Sequence, residues 1–402
     1  MAIPQAIYQG RDFYVPAFDI KIQGVDLPKA TARDVIEVRY SDSLDKIDAF
    51  EISVNNWDAE RLDFKYTGPE KGGDDKRSEF FLPGKTIELW MGYFRPIDPK
   101  YKNKDKPEPL RLMLAGKISK LAPTFPAAGQ PTLKVSGQSV LSQLSAKQET
   151  RFYEKKTASQ IALEVGSRGN LKLDNMTVPV KPDETAKGQE QALDYVLQDN
   201  QYDILFLLQL AHRHGYDVFL EDESKDEKPK YILRFGPSTK EPRFSYVLEW
   251  GKSLIQYQPT LTTTDQVSEV TVRGWDVVKK KPIKVTVKRA GLDTRPLRDK
   301  KKLQTLEEGF KDKKEIVVDK PIHNEKEAKD RAKALLQSIT GRMVTAHGST
   351  VGTPDLRTGS RIQIQRLGDI FNGTYTITSS SHSIGAGGYI TEFDARLEEK
   401  NK

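Results

Sequence analysis

The chain has no cysteine. That absence excludes disulfides, thiolate metal centres and cysteine nucleophiles, and it fits synthesis in a reducing compartment. Long apolar runs are also missing, so no transmembrane helix is expected. The first residues, MAIPQAIYQGRDFYVPAFDI, lack a basic start followed by an apolar core, so a secretory signal is not expected. Histidine is scarce, with five in 402 residues. His212 and His214 lie two apart on an expected helix end, and residues at that spacing do not share a helix face. His323 reads as a loop residue, while His347 and His382 lie in or near strands. No metal site is expected from them. G-x-S-x-G, P-loop, G-x-G-x-x-G, H-E-x-x-H and EF-hand patterns do not occur. No low-complexity tract appears.

What is present is a soluble globular composition, 37% apolar and 30% charged. At this length it is enough for two to four domains. The net charge of +7 is concentrated. Arg273 to Lys302 holds twelve Lys/Arg against three Asp/Glu, leaving the rest of the chain slightly acidic. A nucleic-acid binder usually shows a broader basic face. Lys279, Lys280, Lys281, Lys300, Lys301 and Lys302 are the candidate basic contacts for a partner; a solvated flange is the plainer reading.

The first third is written in strands. VIEVRYSDSLDKIDAFEISVNN, GKTIELWMGYF, LMLAGKISKLAPTF and QPTLKVSGQSVL alternate and are punctuated by Gly and Pro. RPIDPKYKNKDKPEPLR reads as a long exposed loop. Tyr8, Phe13, Tyr14 and Phe18 suit core packing better than base stacking. After Ser139 the period changes. Thr157 and Gln160 have capping-box spacing before a helix stopped by Gly166 or Gly169. Asp203 is the expected N-cap of a second helix stopped by Gly215. YDVFLED then pairs with PKYILRFG across a charged turn. Strands return at Ser245, and SEVTVRGWD alternates cleanly. Asn324 and Glu327 form a cap pair for a helix with a stripe of Ala328, Ala332, Leu335, Leu336 and Ile339, ending at Gly341. Short strands fill Met343 to Glu398, with GAGG at Gly385–Gly388 as a hairpin tip.

One pattern occurs twice. PGKTIELWMGYF followed by LMLAGKISKLAPTF is echoed by TGSRIQIQRLGDIFNGTYTITSSSHSI. Each reads as Gly, strand, Gly-marked turn, strand. This is also common hairpin grammar that recurs by chance. Carboxylates are plentiful, but no pair stands out as the acid and base of a glycosidase.

Taken in order, several segments resemble the baseplate hub proteins of contractile tails, the phage late-control D family. The hub portion of type VI secretion spike proteins and the hubs of extracellular contractile injection systems are similar. The resemblance rests on PGKTIELWMGY with LMLAGKISKLAPTF, on LKVSGQSVLSQLSAKQETRFYEKKTASQIALEVGSRGNL, on DYVLQDNQYDILFLLQLAHRHGYDVFLED, and on AKALLQSITGRMVTAHGSTVGTPDLRTGSRIQIQRLGDIFNGTYTITSSSHSI with GYITEFDARL.

The resemblance implies an α+β, mostly β fold. It has two tube-protein-like β-barrel domains, an α/β insert and a small additional domain. The expected divisions are residues 1–138, 139–244, 245–275 with 335–402, and a Lys-rich inserted segment at 276–334. The two quoted patterns become equivalent barrel hairpins. Gly84, Ile87, Leu89, Gly116 and Ile118 then match Gly359, Ile362, Ile364, Gly373 and Tyr375 as candidate hairpin and assembly positions. The implied function is a homotrimeric adaptor between a hexameric inner tube and a trimeric spike, with six barrels in a ring. Its partners would be the inner tube protein, a separate spike protein and other baseplate proteins, with no cofactor, no catalytic residue, no membrane insertion and no specific nucleic-acid binding. The protein would be made in the cytoplasm and assembled into a phage tail or tail-like particle. Two other readings stay open: a tail-tip cell-wall hydrolase, and a nucleic-acid binder acting through Arg273–Lys302.

Overall fold

The structure, a computed structural model, describes the chain outside residues 1–4, 7–14, 45, 69–75, 94–109, 170, 174–175, 183–189, 215, 223–229, 238–244, 277–278, 293, 298, 319–321, 323 and 401–402. The expected loop after Arg95, the first three N-terminal aromatics, the Gly215 stop, the charged turn after Asp222 and His323 lie outside the described residues. Phe18 is half-buried against the core, as a packing role requires.

The protein is mostly β, and its largest feature is a 14-stranded sheet, antiparallel except at one end. Its first group of strands is β1 (Pro16–Ile22), β2 (Val35–Ser43), β3 (Lys46–Asn55), β4 (Thr86–Tyr93), β5 (Arg111–Thr124) and β6 (Thr132–Ser139). They lie in the order β2-β3-β6-β5-β4-β1. Alternation decides which face is inside. Val38 and Tyr40 of β2, Phe50, Ile52 and Val54 of β3, and Leu133 and Val135 of β6 are buried at every second position. Each such side chain contributes about 1.5–3 kcal/mol when fully removed from water. Ile87 and Leu89 of β4 and Ile118 of β5 belong to this same core.

An α/β unit follows. Strand β7 (Gln148–Lys156) pairs with β8 (Leu193–Tyr202), and helices α1 (Ala158–Gly169) and α2 (Asp203–His214) pack on it. The expected capping box closes in both directions. The Gln160 N–H donates to the Thr157 hydroxyl at 3.2 Å, and the Thr157 N–H donates to Gln160 Oε1 at 2.9 Å. Gly169 ends α1, whereas Gly166 sits inside it against Val180, where a Cβ would fall 1.8 Å from a methyl. Strands β9 (Tyr216–Asp222) and β10 (Tyr231–Pro237) pair antiparallel as expected. Asp203 differs from expectation. It is the first helical residue, and its carboxylate accepts from Gln198 Nε2 at 2.7 Å and pairs with Arg168 at 2.5 Å. The half-buried Arg168 guanidinium and the buried Gln198 amide hold this carboxylate.

The second group of strands is β11 (Ser245–Glu249), β12 (Leu254–Leu261), β16 (Val344–Val351), β17 (Arg361–Gln365), β18 (Gly373–Gly385) and β19 (Gly388–Leu397). Between β12 and β16 lies a separate small unit: β13 (Glu269–Asp276), β14 (Lys281–Lys288), helix α3 (Lys300–Glu308), β15 (Lys314–Val317) and helix α4 (Glu325–Gly341). The second group lies in the order β12-β16-β19-β18-β17-β11. By rank in the chain, both groups therefore read second, third, sixth, fifth, fourth, first. One direction differs: β11 runs parallel to β17, whereas β1 runs antiparallel to β4.

The small unit corrects one expectation. The resemblance implies that strand β13 belongs to the second barrel. It belongs instead to a three-stranded sheet, β14-β13-β15, with its own core of Val267, Val270, Val272, Ile283, Val287 and Ile322 under α4. Clean alternation fixes a strand's two faces but not its sheet. Asn324 caps α4, accepting from the Glu327 N–H at 2.8 Å, and Ala328, Ala332 and Leu336 are fully buried on the expected stripe. The unit sits between the second and third strands of its group, whereas in the first group β2 is followed directly by β3, with Ser43 paired to Lys46.

Candidate functional site

Strand β18 is long enough to serve two neighbours along one edge. Gly373–Thr376 pair with β17, and Ser379–Ile384 pair with β2 of the first group. A bulge between Ile377 and Ser379 marks the handover, and the Thr378 carbonyl there accepts from the Leu44 N–H at 3.1 Å. An extra residue re-aims a strand and increases its twist. The two groups are thus hydrogen-bonded into one sheet.

Behind that junction lies a buried polar seam. The Arg357 guanidinium reaches across from the second group. It donates to Asp42 at 3.3 Å, to Asp48 at 3.4 Å and to the Tyr40 hydroxyl, and its carbon stands 4.7 Å from the Tyr40 ring centroid. Asp42 also accepts from the N–H groups of Thr358 (3.2 Å) and Ser380 (3.1 Å) and from the Ser380 hydroxyl. Tyr40 donates to Asp48 at 3.0 Å. Burial pushes the Asp48 carboxyl up to about 7, with Arg357 opposing and Asp42 adding to the rise. One cation shared by two carboxylates in a partly desolvated site favours a proton on one of them.

Ser380, His382 and an aspartate converge here, which invites a catalytic reading. The wiring rejects it. Ser380 donates to Asp42, so at 3.2 Å its hydroxyl accepts from His382 Nε2. His382 Nδ1 is then the acceptor for the Tyr389 and Thr391 hydroxyls, both at 3.1 Å. A nucleophilic serine needs the opposite polarity, with the carboxylate on the far imidazole nitrogen. Ser380 and His382 are also closed to solvent. Burial holds His382 down to about 4, so it is neutral. No sequence motif marks Arg357 or Asp42.

The repeated hairpin positions do come together, group by group. Gly84 (φ 93°) and Gly359 (φ 81°) both adopt the left-handed conformation before a strand. The Gly84 N–H donates to the Ile118 carbonyl at 2.8 Å, and the Gly359 N–H to the Ile377 carbonyl at 3.0 Å. Ile87 faces Gly116 across the ladder, and Ile362 faces Tyr375. By hydrogen bonding, Gly116 thus matches Tyr375 and Ile118 matches Ile377. The expected partners of Gly116 and Ile118, namely Gly373 and Tyr375, lie two residues too early in the ladder, because matching glycine to glycine follows residue identity rather than hydrogen bonding. Leu89 and Ile364 do match, opposite Leu114 and Gly373. Ile362, Ile364, Gly373 and Tyr375 are buried.

The six lysines separate. Lys279, Lys280 and Lys281 lie at the β13–β14 turn, and Lys300, Lys301 and Lys302 open α3, whose Leu303 and Leu306 pack on the second group's core. All six are exposed. Among the described residues, no cluster of His, Cys, Asp or Glu can hold a metal ion, and no helix is long and apolar enough to cross a membrane. His347 is exposed and lies 3.0 Å from Asp394.

The chain matches, over residues 13–386, the family model described as the Alg8 N-terminal domain. It belongs to that family. No curated protein matches. Among solved structures, the 43 kDa tail protein of prophage MuSo2 from Shewanella oneidensis superposes with a TM-score of 0.63 at 14% identity, covering 95% of this chain and 98% of that one. A tail protein from Neisseria meningitidis MC58 gives 0.63 at 12% identity, over 95% and 97%. The E. coli c3393 protein, a component of the type VI secretion system, gives 0.53 at 12%, over 95% and 79%. The chain shares the fold of these tail and secretion-system proteins along nearly its whole length.

Proposed function

We propose that this protein is a structural baseplate hub of the late-control D type, in a myophage tail or a related contractile injection particle. The observation that carries the reading is the repeated strand order, with matched glycine turns, in two groups joined through β18. On this reading each group is a tube-like barrel. The first spans 1–138, the second spans 245–266 with 337–402, and the units at 139–244 and 267–336 are inserts. The likeness of fold to phage tail proteins supports it.

Three such chains in a ring present six barrels to a hexameric inner tube and keep true threefold symmetry for a trimeric spike. Rigid joining of the two barrels is what the adaptor needs, since a hinge between them would spoil the sixfold face. The hub carries out no reaction, binds no nucleic acid specifically, and meets the tube protein, a separate spike protein and other baseplate proteins. Mixing the purified chain with its tube and spike proteins should give a ring-shaped complex of three copies by native mass and electron microscopy. Failure to bind either protein, or clearing of cell-wall material by the chain alone, overturns the proposal.

A further inference from the structure

Among the described residues, two sheet faces in different units carry exposed apolar side chains and have no packed partner. At one end, the β7–β8 ribbon turns Tyr153 and Val196 inward, where Tyr153 stacks on Phe206 of α2. Helix α2 meets α4, and Arg213 of α2 feels the charges of Arg331 and Glu327. Helix α4 in turn covers the inner face of β13 and β14. The ribbon's inner face is thus covered by α2 and the sheet's inner face by α4, and each sheet keeps its other face.

The ribbon's outer face is apolar in the middle and acidic at its ends. Phe152, 64% exposed, lies opposite Leu197 and stacks on Tyr195 at 6.2 Å with an interplanar angle of 11°. Glu154 lies opposite Tyr195, and Asp199 follows Leu197 on the same alternation. Neither carboxylate has an ion-pair partner among the described residues. The cations nearby are largely engaged: Lys147 and Arg151 with Glu149, and Lys156 with Glu164, leaving Lys155. From Glu154 to Asp199 is four residues along the strand, about 13 Å.

The sheet's outer face is the complement. Arg273 lies opposite Lys284, Thr271 opposite Thr286, Glu269 opposite Lys288, and Trp275 opposite Pro282. Trp275 is 53% and Ile316 54% exposed. Lys314 is held by Glu269 at 3.0 Å, while Arg273, Lys284 and Lys288 have no ion-pair partner among the described residues. Lys284 and Lys288 are also four residues apart, about 13 Å.

We propose that the ribbon's acidic-apolar face docks on the basic-aromatic sheet face of a second copy of this chain, with Glu154 and Asp199 meeting the Lys284–Lys288 row around Phe152, Tyr195 and Leu197. The choice of a second copy rests on the hub reading; the faces themselves do not. Two different faces of opposite charge and equal spacing make the contact heterologous, so repeated docking closes a ring or extends a chain. A nucleic-acid surface fits less well, because a single exposed tryptophan beside Ile316 offers little stacking.

The test is native mass by light scattering over a range of concentration and salt. Wild type should self-associate and dissociate as salt rises. Glu154→Lys with Asp199→Lys, or Lys284→Glu with Lys288→Glu, should each weaken association about tenfold or more. Both changes are at exposed positions, so melting curves should match wild type. Mixing the two reversed proteins should restore association, because each then offers the charge the other needs. Association indifferent to both reversals overturns this interface and leaves the hub reading standing. A wild-type monomer at every concentration, or salt-dependent capture of DNA by Lys284 and Lys288 without self-association, also overturns it. Association through these faces without capture of tube or spike protein overturns the hub reading alone.

Discussion

Arg357 donates to Asp42 at 3.3 Å across 315 positions of sequence. The pair ties the last strands to the first; Asp42 and Tyr40 are buried, while Arg357 and Asp48 are half-buried. Removing Arg357 leaves the buried Asp42 carboxylate without its cation, which costs about 3–5 kcal/mol in a fully dry site and less here, where Thr358 and Ser380 still donate to it. Arg357→Met should therefore cause a large drop in the denaturant midpoint. Asp42→Asn keeps most of the acceptor geometry and should cost less. A double-mutant cycle between Arg357 and Asp42 should return a coupling well above 1 kcal/mol. Additivity within about 0.5 kcal/mol would show that the seam is passive packing.

The seam also sets a pH response with two opposed parts. His382 is held down to about 4 by burial, against an unfolded value near 6.5. In that window the unfolded chain binds the extra proton, so this group's contribution falls as pH falls, by about 3 kcal/mol at most. Asp48 is pushed up to about 7 from 3.8 by burial. There the native state holds the extra proton, so its contribution falls as pH rises. Asp48→Asn should thus gain on wild type as pH goes from about 4 to 7, and His382→Gln should lose its advantage over the same range. Midpoints measured at several pH values check this. Two difference curves of the same slope would sink the assignment.

Local features were legible in the sequence because local chemistry encodes them. Thr157–Gln160 and Asn324–Glu327 needed only a spacing of three, and both capped helices as read. Alternation gave the faces of β2, β3 and β13. It did not give the sheet to which β13 belongs, since the hydrophobic period is the same in either. Arg357 and Asp42 carry no local signal at all; an arginine in a loop and an aspartate in a strand read as surface. The repeat was visible, but its second strand was aligned through a glycine, whereas the hydrogen bonds align Ile118 with Ile377. Register is fixed by ladder bonds, which residue identity alone does not report.

The paired glycines make a prediction that separates backbone strain from crowding. Gly84 and Gly359 are left-handed, and a Cβ on Gly84 would meet nothing within 4 Å. Gly84→Ala and Gly359→Ala should each cost the left-handed penalty, about 1–2 kcal/mol. Equal losses in thermal denaturation would fit two turns with the same role.

Gly116 and Gly352 fail for a different reason, and should fail harder. A Cβ on Gly116 would lie 2.0 Å from the Gln138 carbonyl oxygen, and one on Gly352 would lie 2.0 Å from the Tyr389 ring. In the first case the obstacle is backbone of the neighbouring strand β6, which cannot rotate away, so the β5–β6 ladder must part. In the second it is a side chain, and Tyr389 is itself bound to His382 in the seam. Gly116→Ala should therefore destabilise without rescue. Gly352→Ala combined with Tyr389→Leu should recover part of its loss, because the smaller side chain makes room. The recovery must remain partial, since Leu offers His382 no hydroxyl. Thermal melts of the two single variants and the double variant decide it: a double variant no better than Gly352→Ala alone would mean that the ring is not what the new methyl strikes.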